Sequence, residues 1–135
     1  MLDVWAPTDG LTSAESVAFA RRVESWGYGA LWIPEGLGRN ALVHSAVLLA
    51  GTTSLTVATG IANIYARDAM AMHGATQGLA EMSGGRFLLG VGVSHAPIVA
   101  GMRGHNYGKP LSAMRDYLTA MACGPLPAPE PPAAP

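Results

Sequence analysis

Charged residues are scarce in this chain, and neither sign is in clear excess. Only 13% of the 135 residues are charged, and eight basic against nine acidic residues give a formal net charge of −1. Proteins that bind nucleic acid or anionic membrane surfaces carry concentrated positive charge, because it attracts phosphate groups over long distances. The composition therefore predicts neither a nucleic-acid partner nor a membrane-surface partner.

Cysteine and long apolar runs are also nearly absent. Cys123 is the single cysteine, which excludes an internal disulfide and a cysteine-based metal cluster. The longest apolar stretch, residues 41–50, is interrupted by His44 and Ser45 and is shorter than the roughly 20 residues that cross a bilayer. No basic region followed by an apolar one opens the chain, so no signal peptide is predicted and a reducing cytoplasm is the expected location.

Short apolar runs alternate with helical patterns four times along the chain. Half of the residues are hydrophobic, which predicts a globular domain with a sizeable core. Strands are predicted to begin near Leu2, Ala30, Leu55 and Phe87, and each is followed by a helix. This alternation predicts a parallel sheet covered by helices, either doubly wound or the first half of an eight-stranded barrel.

The predicted helices begin at residues that satisfy free amide groups. Thr12 and Glu15 have the spacing of a capping box, Asn40 and Asp68 can cap the second and third helices, and Pro110 suits the first position of the fourth. Glycines follow the first three helices. These signals place the helix boundaries.

The stretch Ser83–His95 contains the fourth predicted strand and the first candidate site. Side chains alternate along a strand, so Phe87 and every second residue to Val93 form a large apolar face, opposite a smaller face that includes Gly90 and Gly92. Glycines within a strand indicate close approach by another backbone or by a ligand. The end of the small face, at Ser94 and His95, is therefore a candidate functional site.

The chain is too short for a whole barrel. A complete eight-stranded barrel needs about 250 residues, and four further strand–helix units do not fit into 135. Residues 123–135 are rich in proline and alanine, which predicts an extended tail similar to a linker. We therefore predict a structured part over residues 1–122, the tail over 123–135, and a truncated chain.

Six motifs together resemble one family. They occur in the order Trp5–Pro7, Leu31–Glu35, Thr59–Asp68, Gly84–His95, Arg103–His105 and Pro110–Leu111. In this combination the chain resembles the luciferase-like monooxygenases, over about residues 2–121. The similarity is strongest to the branch that uses the deazaflavin coenzyme F420 in place of FMN. It implies four parallel strand–helix units forming the N-terminal half of a TIM (β/α)8 barrel.

The resemblance also implies where a cofactor would bind. The sites of such barrels lie at the C-terminal ends of the strands. The matching residues for coenzyme F420, with FMN as the alternative, are Gly60, Ile61, Ala62 and Asn63 after the third strand and Val93 and Ser94 after the fourth. In relatives a cis peptide bond lies at the position of Gly60–Ile61.

Two residues match the acid/base positions of the family. These are Glu35 after the second strand and His95 after the fourth, while Gly36 stands where some relatives have histidine. Alternatively, Glu35 is solvated or paired with Arg39, and His95 is hydrogen-bonded to backbone. Nothing in the spacing of the histidines and acids requires a metal, and none is predicted.

The implied function is that of an oxidoreductase, by hydride transfer or monooxygenation of a small organic substrate. The residues expected at the mouth are mostly small and apolar, which favours a bulky neutral substrate over a strongly anionic one. The alternative is a non-catalytic half-barrel that acts by pairing with a second copy or with a separate C-terminal half. Alone, the chain is expected to bind cofactor weakly or not at all.

Overall fold

Four parallel strands lie side by side in the order in which they occur along the chain. The structure, a computed structural model, describes residues 1–123, so residues 124–135 of the predicted tail lie outside it. The main sheet consists of β1 (Val4–Trp5), β2 (Ala30–Ile33), β3 (Thr56–Thr59) and β5 (Phe87–Leu88), and a second, two-stranded sheet pairs β4 (Ala62–Asn63) with β6 (Val91–Gly92). A doubly wound sheet reverses its strand order at a switch point, whereas a barrel keeps it. The α/β half-barrel prediction is therefore confirmed.

The helices begin where the sequence predicts. They are α1 (Ser13–Ser25), α2 (Ala41–Gly51), α3 (Ala69–Ser83) and α4 (Pro110–Ala122), with a short π-helix over Pro97–Met102. The capping box is present, since the Thr12 hydroxyl accepts a hydrogen bond from the Glu15 amide and the Glu15 carboxylate accepts one from the Thr12 amide. The side chains of Asn40 and Asp68 cap α2 and α3 by accepting hydrogen bonds from amides of the first helical turn. Within residues 1–123, every helix is too short or too polar to span a membrane.

The core lies between one face of the sheet and the helices. Register places Val4, Leu31, Val57 and Phe87 in one cross-strand row, and all four belong to or pack against the buried cluster. Their neighbours form a second row on the opposite face, made of Trp5, Trp32, Ala58 and Leu88. Alternation of side chains along the strands therefore gives the sheet one covered face and one apolar face turned away from the helices.

The third and fourth strands are each divided into two segments, so the prediction of continuous strands is wrong. At the break, the side chain of Thr59 joins the third strand to the fourth. Its hydroxyl accepts a hydrogen bond from the Gly90 amide (2.9 Å) and donates one to the Gly90 carbonyl (2.8 Å). The peptide bond Gly60–Ile61 is cis, as the resemblance implied. Ala62 joins Val57 in the core, whereas Ile61 is partly exposed. The side-chain alternation of β4 is therefore shifted by one position relative to that of β3.

The two glycines within the fourth strand lie where neighbouring parts of the chain approach closely. A Cβ atom on Gly90 would collide with the carbonyl oxygen of Thr59, and one on Gly92 would lie 2.7 Å from the Ile61 side chain. Close approach by another backbone, the first of the two explanations that the sequence left open, therefore holds for Gly90, whereas at Gly92 the close neighbour is a side chain.

Candidate functional site

The loops that follow β2, β4 and β6 converge at one edge of the structure. Backbone hydrogen bonds join them, from the Gly60 amide to the Ile33 carbonyl (2.8 Å), from the Glu35 amide to the Ile61 carbonyl (3.0 Å) and from the Ile64 amide to the Gly92 carbonyl (3.0 Å). The carboxyl ends of parallel strands meet at the same edge, which is where barrel enzymes carry their sites. All eight residues singled out in the sequence lie in or beside these loops.

Glu35 is a buried carboxylate with every oxygen engaged. Its side chain is 2% exposed and forms a two-pronged ion pair with the guanidinium of Arg67, which is 9% exposed. One carboxylate oxygen also accepts a hydrogen bond from the Asn63 amide (2.7 Å), and the other accepts one from the Ala41 amide at the start of α2 (3.2 Å). Glu35 thus ties the end of β2 to β4, to α2 and to the Arg67 loop.

The partner of Glu35 is Arg67, and the alternative pairing with Arg39 is wrong. Arg39 instead donates to the carbonyl of Leu11 and to the hydroxyl of Ser13 (3.4 Å). The reason is topological, because the Arg67 loop follows β4, the segment that Glu35 contacts through Asn63. Sequence separation concealed this pairing, since Glu35 and Arg67 are 32 positions apart along the chain.

The predicted cofactor residues divide into buried and partly exposed groups. Ala62 is fully buried in the core, and Asn63 is buried with its side-chain carbonyl accepting a hydrogen bond from the Tyr65 amide (2.9 Å). Gly60, Ile61 and Val93 are partly exposed. Only these three and Ser94 can therefore offer surface to a ligand at this edge, while Ala62 and Asn63 support the backbone from below.

Ser94 has a left-handed backbone, with φ of 56°, that non-glycine residues seldom adopt. Its carbonyl accepts a hydrogen bond from the Tyr107 hydroxyl (3.1 Å), and the Tyr107 carbonyl accepts one from the Tyr65 hydroxyl (2.5 Å). The two tyrosine rings pack with centroids 5.7 Å apart. Burial, together with the neighbouring Tyr107, raises the pKa of Tyr65, so its hydroxyl stays a hydrogen-bond donor at neutral pH. The unusual turn at Ser94 is thus held by two aromatic side chains.

His95 is exposed at the beginning of the segment that leads into the π-helix. Its carbonyl accepts hydrogen bonds from the amides of Ile98 (3.0 Å) and Val99 (2.9 Å), while its imidazole has no hydrogen-bond partner within residues 1–123. The alternative of a histidine side chain bonded to backbone therefore does not describe this residue. No group of three or more His, Cys, Asp or Glu side chains in that part of the chain could hold a metal ion.

A cavity of about 250 Å³ lies at the same edge, and its lining is polar. The lining includes three arginines and one acid, together with small loop residues: Glu35, Gly36, Leu37, Gly38, Arg39, Asn40, Ala66, Arg67 and Arg103. Sequence reasoning did not select the three arginines as site residues. Arg67 and Arg103 stand within the family motifs, but no charge pattern along the chain signals that loops after three different strands bring them together.

His44 lies beneath the Arg39 loop and is uncharged at neutral pH. Burial, reinforced by the positive charge of Arg39 and opposed by Asp9, lowers its pKa. One ring nitrogen forms a 2.8 Å hydrogen bond with the Thr8 hydroxyl. The residue therefore joins the loop after β1 to α2 and adds no charge to the cavity.

Comparison with known sequences identifies a family and two relatives. The family model for luciferase-like monooxygenases matches residues 2–123. A putative coenzyme F420-dependent oxidoreductase of Mycobacterium tuberculosis is 32% identical over 117 residues, covering 87% of this chain and 33% of the relative. The 5,10-methylenetetrahydromethanopterin reductase of Methanolobus tindarius is 28% identical over 104 residues, covering 76% and 32% respectively. The chain thus spans about a third of the length of these relatives.

Comparison with solved structures supports the half-barrel fold. The coenzyme F420-dependent tetrahydromethanopterin reductase of Methanopyrus kandleri superposes with a TM-score of 0.77 at 16% identity, covering 89% of this chain and 38% of that one. The oxygenating constituent of 3,6-diketocamphane monooxygenase from Pseudomonas putida, solved in complex with FMN, gives 0.75 at 16% identity, with 90% and 38% covered. At these identities the similarity establishes the fold.

Proposed function

Because this chain belongs to the luciferase-like monooxygenase family, we propose that it supplies half of the site of a deazaflavin- or flavin-dependent oxidoreductase. Coenzyme F420 is the proposed cofactor, since the Mycobacterium tuberculosis relative is a putative F420-dependent oxidoreductase and the Methanopyrus kandleri structure is that of an F420-dependent reductase. FMN, which is bound in the Pseudomonas putida structure, is the alternative. The proposed substrate is a small organic molecule, reduced by hydride transfer or oxygenated. A cytoplasmic location is part of the proposal, supported by the low cysteine content.

The convergence of the loops after β2, β4 and β6 is the observation that carries the proposal. Gly60, Ile61, Val93 and Ser94 present partly exposed backbone and apolar surface there, and Trp5, whose indole donates to the Gly60 carbonyl (2.9 Å), stands beside them. A flat, largely apolar ring fits a surface of this kind, because ligand sites are mostly apolar with a few polar groups that fix orientation. The residues present therefore fit the ring system of either cofactor.

The bound cofactor would supply the hydride or oxygen chemistry, and the chain would position and desolvate it. His95 is the proposed proton donor or acceptor, because its imidazole is exposed and has no hydrogen-bond partner within residues 1–123. Glu35, with every oxygen engaged by Arg67 and backbone amides, is proposed as a positioning residue that holds the three loops together. Tyr107 holds Ser94 in the turn that leads to His95.

Two-dimensional NMR of the ¹⁵N-labelled chain tests this proposal at the level of single residues. Titration with coenzyme F420, and separately with FMN, should shift the amide resonances of Gly60, Ile61, Val93 and Ser94. The method detects millimolar binding, which suits a chain that contains only part of a site. At a cofactor concentration of about 5 mM even weak sites near −3 to −4 kcal/mol are populated, so shifts confined to α4 would overturn the proposal.

A charged substitution provides the matched control. Val93→Asp puts a carboxylate beside the proposed ring position and should abolish the shifts, whereas Leu111→Asp makes the same change on α4, where Leu111 is 74% exposed. Equal effects of the two substitutions would show that binding does not involve the proposed edge.

A second candidate function is that of a non-catalytic half-barrel that pairs with another polypeptide. The sheet row facing away from the helices favours it, since Trp5 is 58% and Leu88 is 47% exposed. In addition, β1 and β5 are each paired on one side only within the described residues. Folded proteins seldom leave apolar faces and strand edges uncovered.

Light scattering during size-exclusion chromatography distinguishes the candidates. A dimer that Leu88→Lys converts to a monomer would support pairing through this face. The control is Leu118→Lys on α4, which is 46% exposed and should have no effect. A monomer at all concentrations would exclude pairing with a second copy.

A further inference from the structure

We propose that the arginine-lined cavity binds an oxyanion group, a carboxylate or phosphate, carried by the substrate. The cavity opens at the same edge as the proposed cofactor surface and is lined by Arg39, Arg67 and Arg103. The assignment of the oxyanion to a substrate rests on the proposed function, whereas the oxyanion site itself does not. It replaces the expectation, drawn from small apolar residues in the sequence, of a neutral substrate.

The charge balance of the cavity favours an anion. Glu35 is the single acid that lines the cavity, and the ion pair with Arg67 neutralises its charge. Neither Arg39 nor Arg103 has a carboxylate within 4.0 Å among the described residues. Asp9 packs against Gly36 and Gly38 without forming an ion pair with either arginine. Two positive charges in the cavity are therefore left without a neutralising partner.

The hydrogen-bond donors of the cavity are also incompletely used. The Nε atom of Arg39 is buried and has no hydrogen-bond partner among residues 1–123, which is costly for a polar group unless a ligand or water satisfies it. The guanidinium of Arg103 makes no hydrogen bond within residues 1–123, and the residue directly follows the π-helix. Such helices occur frequently at functional sites. The amides at the start of α2 are not available, because Glu35 and Asn40 already accept their hydrogen bonds.

The cavity has room for one carboxylate or phosphate group but is too small for a whole cofactor. Its volume of about 250 Å³ lies below the roughly 300–1,000 Å³ of pockets that enclose drug-sized ligands. Arginine binds planar carboxylates and phosphates through paired, charge-assisted hydrogen bonds. A carboxylate or phosphate on a larger molecule would thus fill the cavity while the remainder extends toward the apolar surface at Ile61 and Val93.

Titration of the labelled full chain with benzoate, benzamide and inorganic phosphate tests the proposal. Benzoate and phosphate should shift resonances of residues 36–40 and 103 with a Kd of a few millimolar or tighter, and the neutral isostere benzamide should not. Arg103→Gln should weaken binding at least about tenfold, as expected for one charge-assisted contact. Arg115→Gln, which removes the same charge from an exposed position on α4, should leave it unchanged. Absence of saturable binding, or equal loss in both variants, would overturn the proposal.

The source of the oxyanion is decided by competition. Riboflavin and FMN differ only in the phosphate group, so displacement of inorganic phosphate by FMN but not by riboflavin would assign the cavity to the cofactor and overturn the substrate assignment. Unchanged phosphate binding in the presence of FMN supports it. Since the benzoate titration contains no flavin, its result is independent of whether the proposed cofactor surface is correct.

Discussion

Removing the charge of Glu35 should destabilise the fold more than any other single change of an acid in this chain. Glu35→Gln keeps the shape of the side chain but leaves the guanidinium of Arg67, only 9% exposed, without a counter-ion. The new amide group also has to face the Asn63 or Ala41 amide, donor against donor. Breaking a buried ion pair on one side costs about 3–5 kcal/mol, whereas small domains have only about 5–15 kcal/mol in total.

Equilibrium urea unfolding measures this cost. With a slope of about 1.5 kcal/mol per molar urea, the midpoint should fall by about 2–3 M. Glu81→Gln, an exposed residue on α3, should change the free energy of unfolding by less than about 0.5 kcal/mol. The double variant Glu35→Gln with Arg67→Met should be less destabilised than the sum of the single variants, because it leaves no buried charge. A cost below about 1 kcal/mol for Glu35→Gln would refute the assignment of Glu35 as the residue that joins the loops.

Three further predictions concern the fold. Burial alone would raise the pKa of Glu24, but hydrogen bonds from the Ser54, Leu55 and Thr53 amides outweigh it and lower the pKa from 4.5 to about 2. This carboxylate therefore stabilises the fold above pH 4.5, and its contribution is lost as the pH falls toward 2. In urea unfolding, Glu24→Gln should lower the free energy of unfolding by about 1–2 kcal/mol at pH 7 and leave it unchanged at pH 2. A loss that does not depend on pH would contradict this prediction. Thr59→Val, which leaves the partly buried Gly90 amide without its acceptor, should cost about 1–3 kcal/mol in the same assay; no change would show that the hydroxyl bridge is dispensable.

Gly84 ends α3 with φ of 62° and open space around its Cα atom. Replacement by alanine should therefore cost about 1 kcal/mol of unfolding free energy through backbone strain alone, without any steric collision. Thermal unfolding monitored by circular dichroism measures it, and a stabilised variant would contradict the left-handed cap.

The element boundaries could be predicted from the sequence because they depend on neighbouring residues. Thr12 with Glu15, Asn40 and Asp68 cap helices through hydrogen bonds that span no more than three residues. The alternation of strands and helices likewise predicted a parallel sheet, and the family motifs selected the barrel order. Helix caps and hydrophobic period are local properties, and a single chain displays them directly.

The breaks between β3 and β4 and between β5 and β6 could not be predicted from the alternation of side chains. Thr59 and Gly90 are 31 residues apart, and their hydrogen bonds exist only once the two strands are adjacent. The glycines of the fourth strand were visible, but the sequence did not distinguish contact with Thr59 and Ile61 from contact with a ligand.

The chain by itself determined which residues lie at the ends of the strands, since Glu35, Ser94 and His95 each follow an apolar run. Tertiary structure decided what those residues do. It buried Glu35 against Arg67, left the His95 imidazole without a hydrogen-bond partner among the described residues, and brought Arg39 and Arg103 to one cavity. Charges on separate loops interact strongly only when folding brings them within a few ångströms of each other in a medium less polar than water. No spacing along the chain encodes that distance.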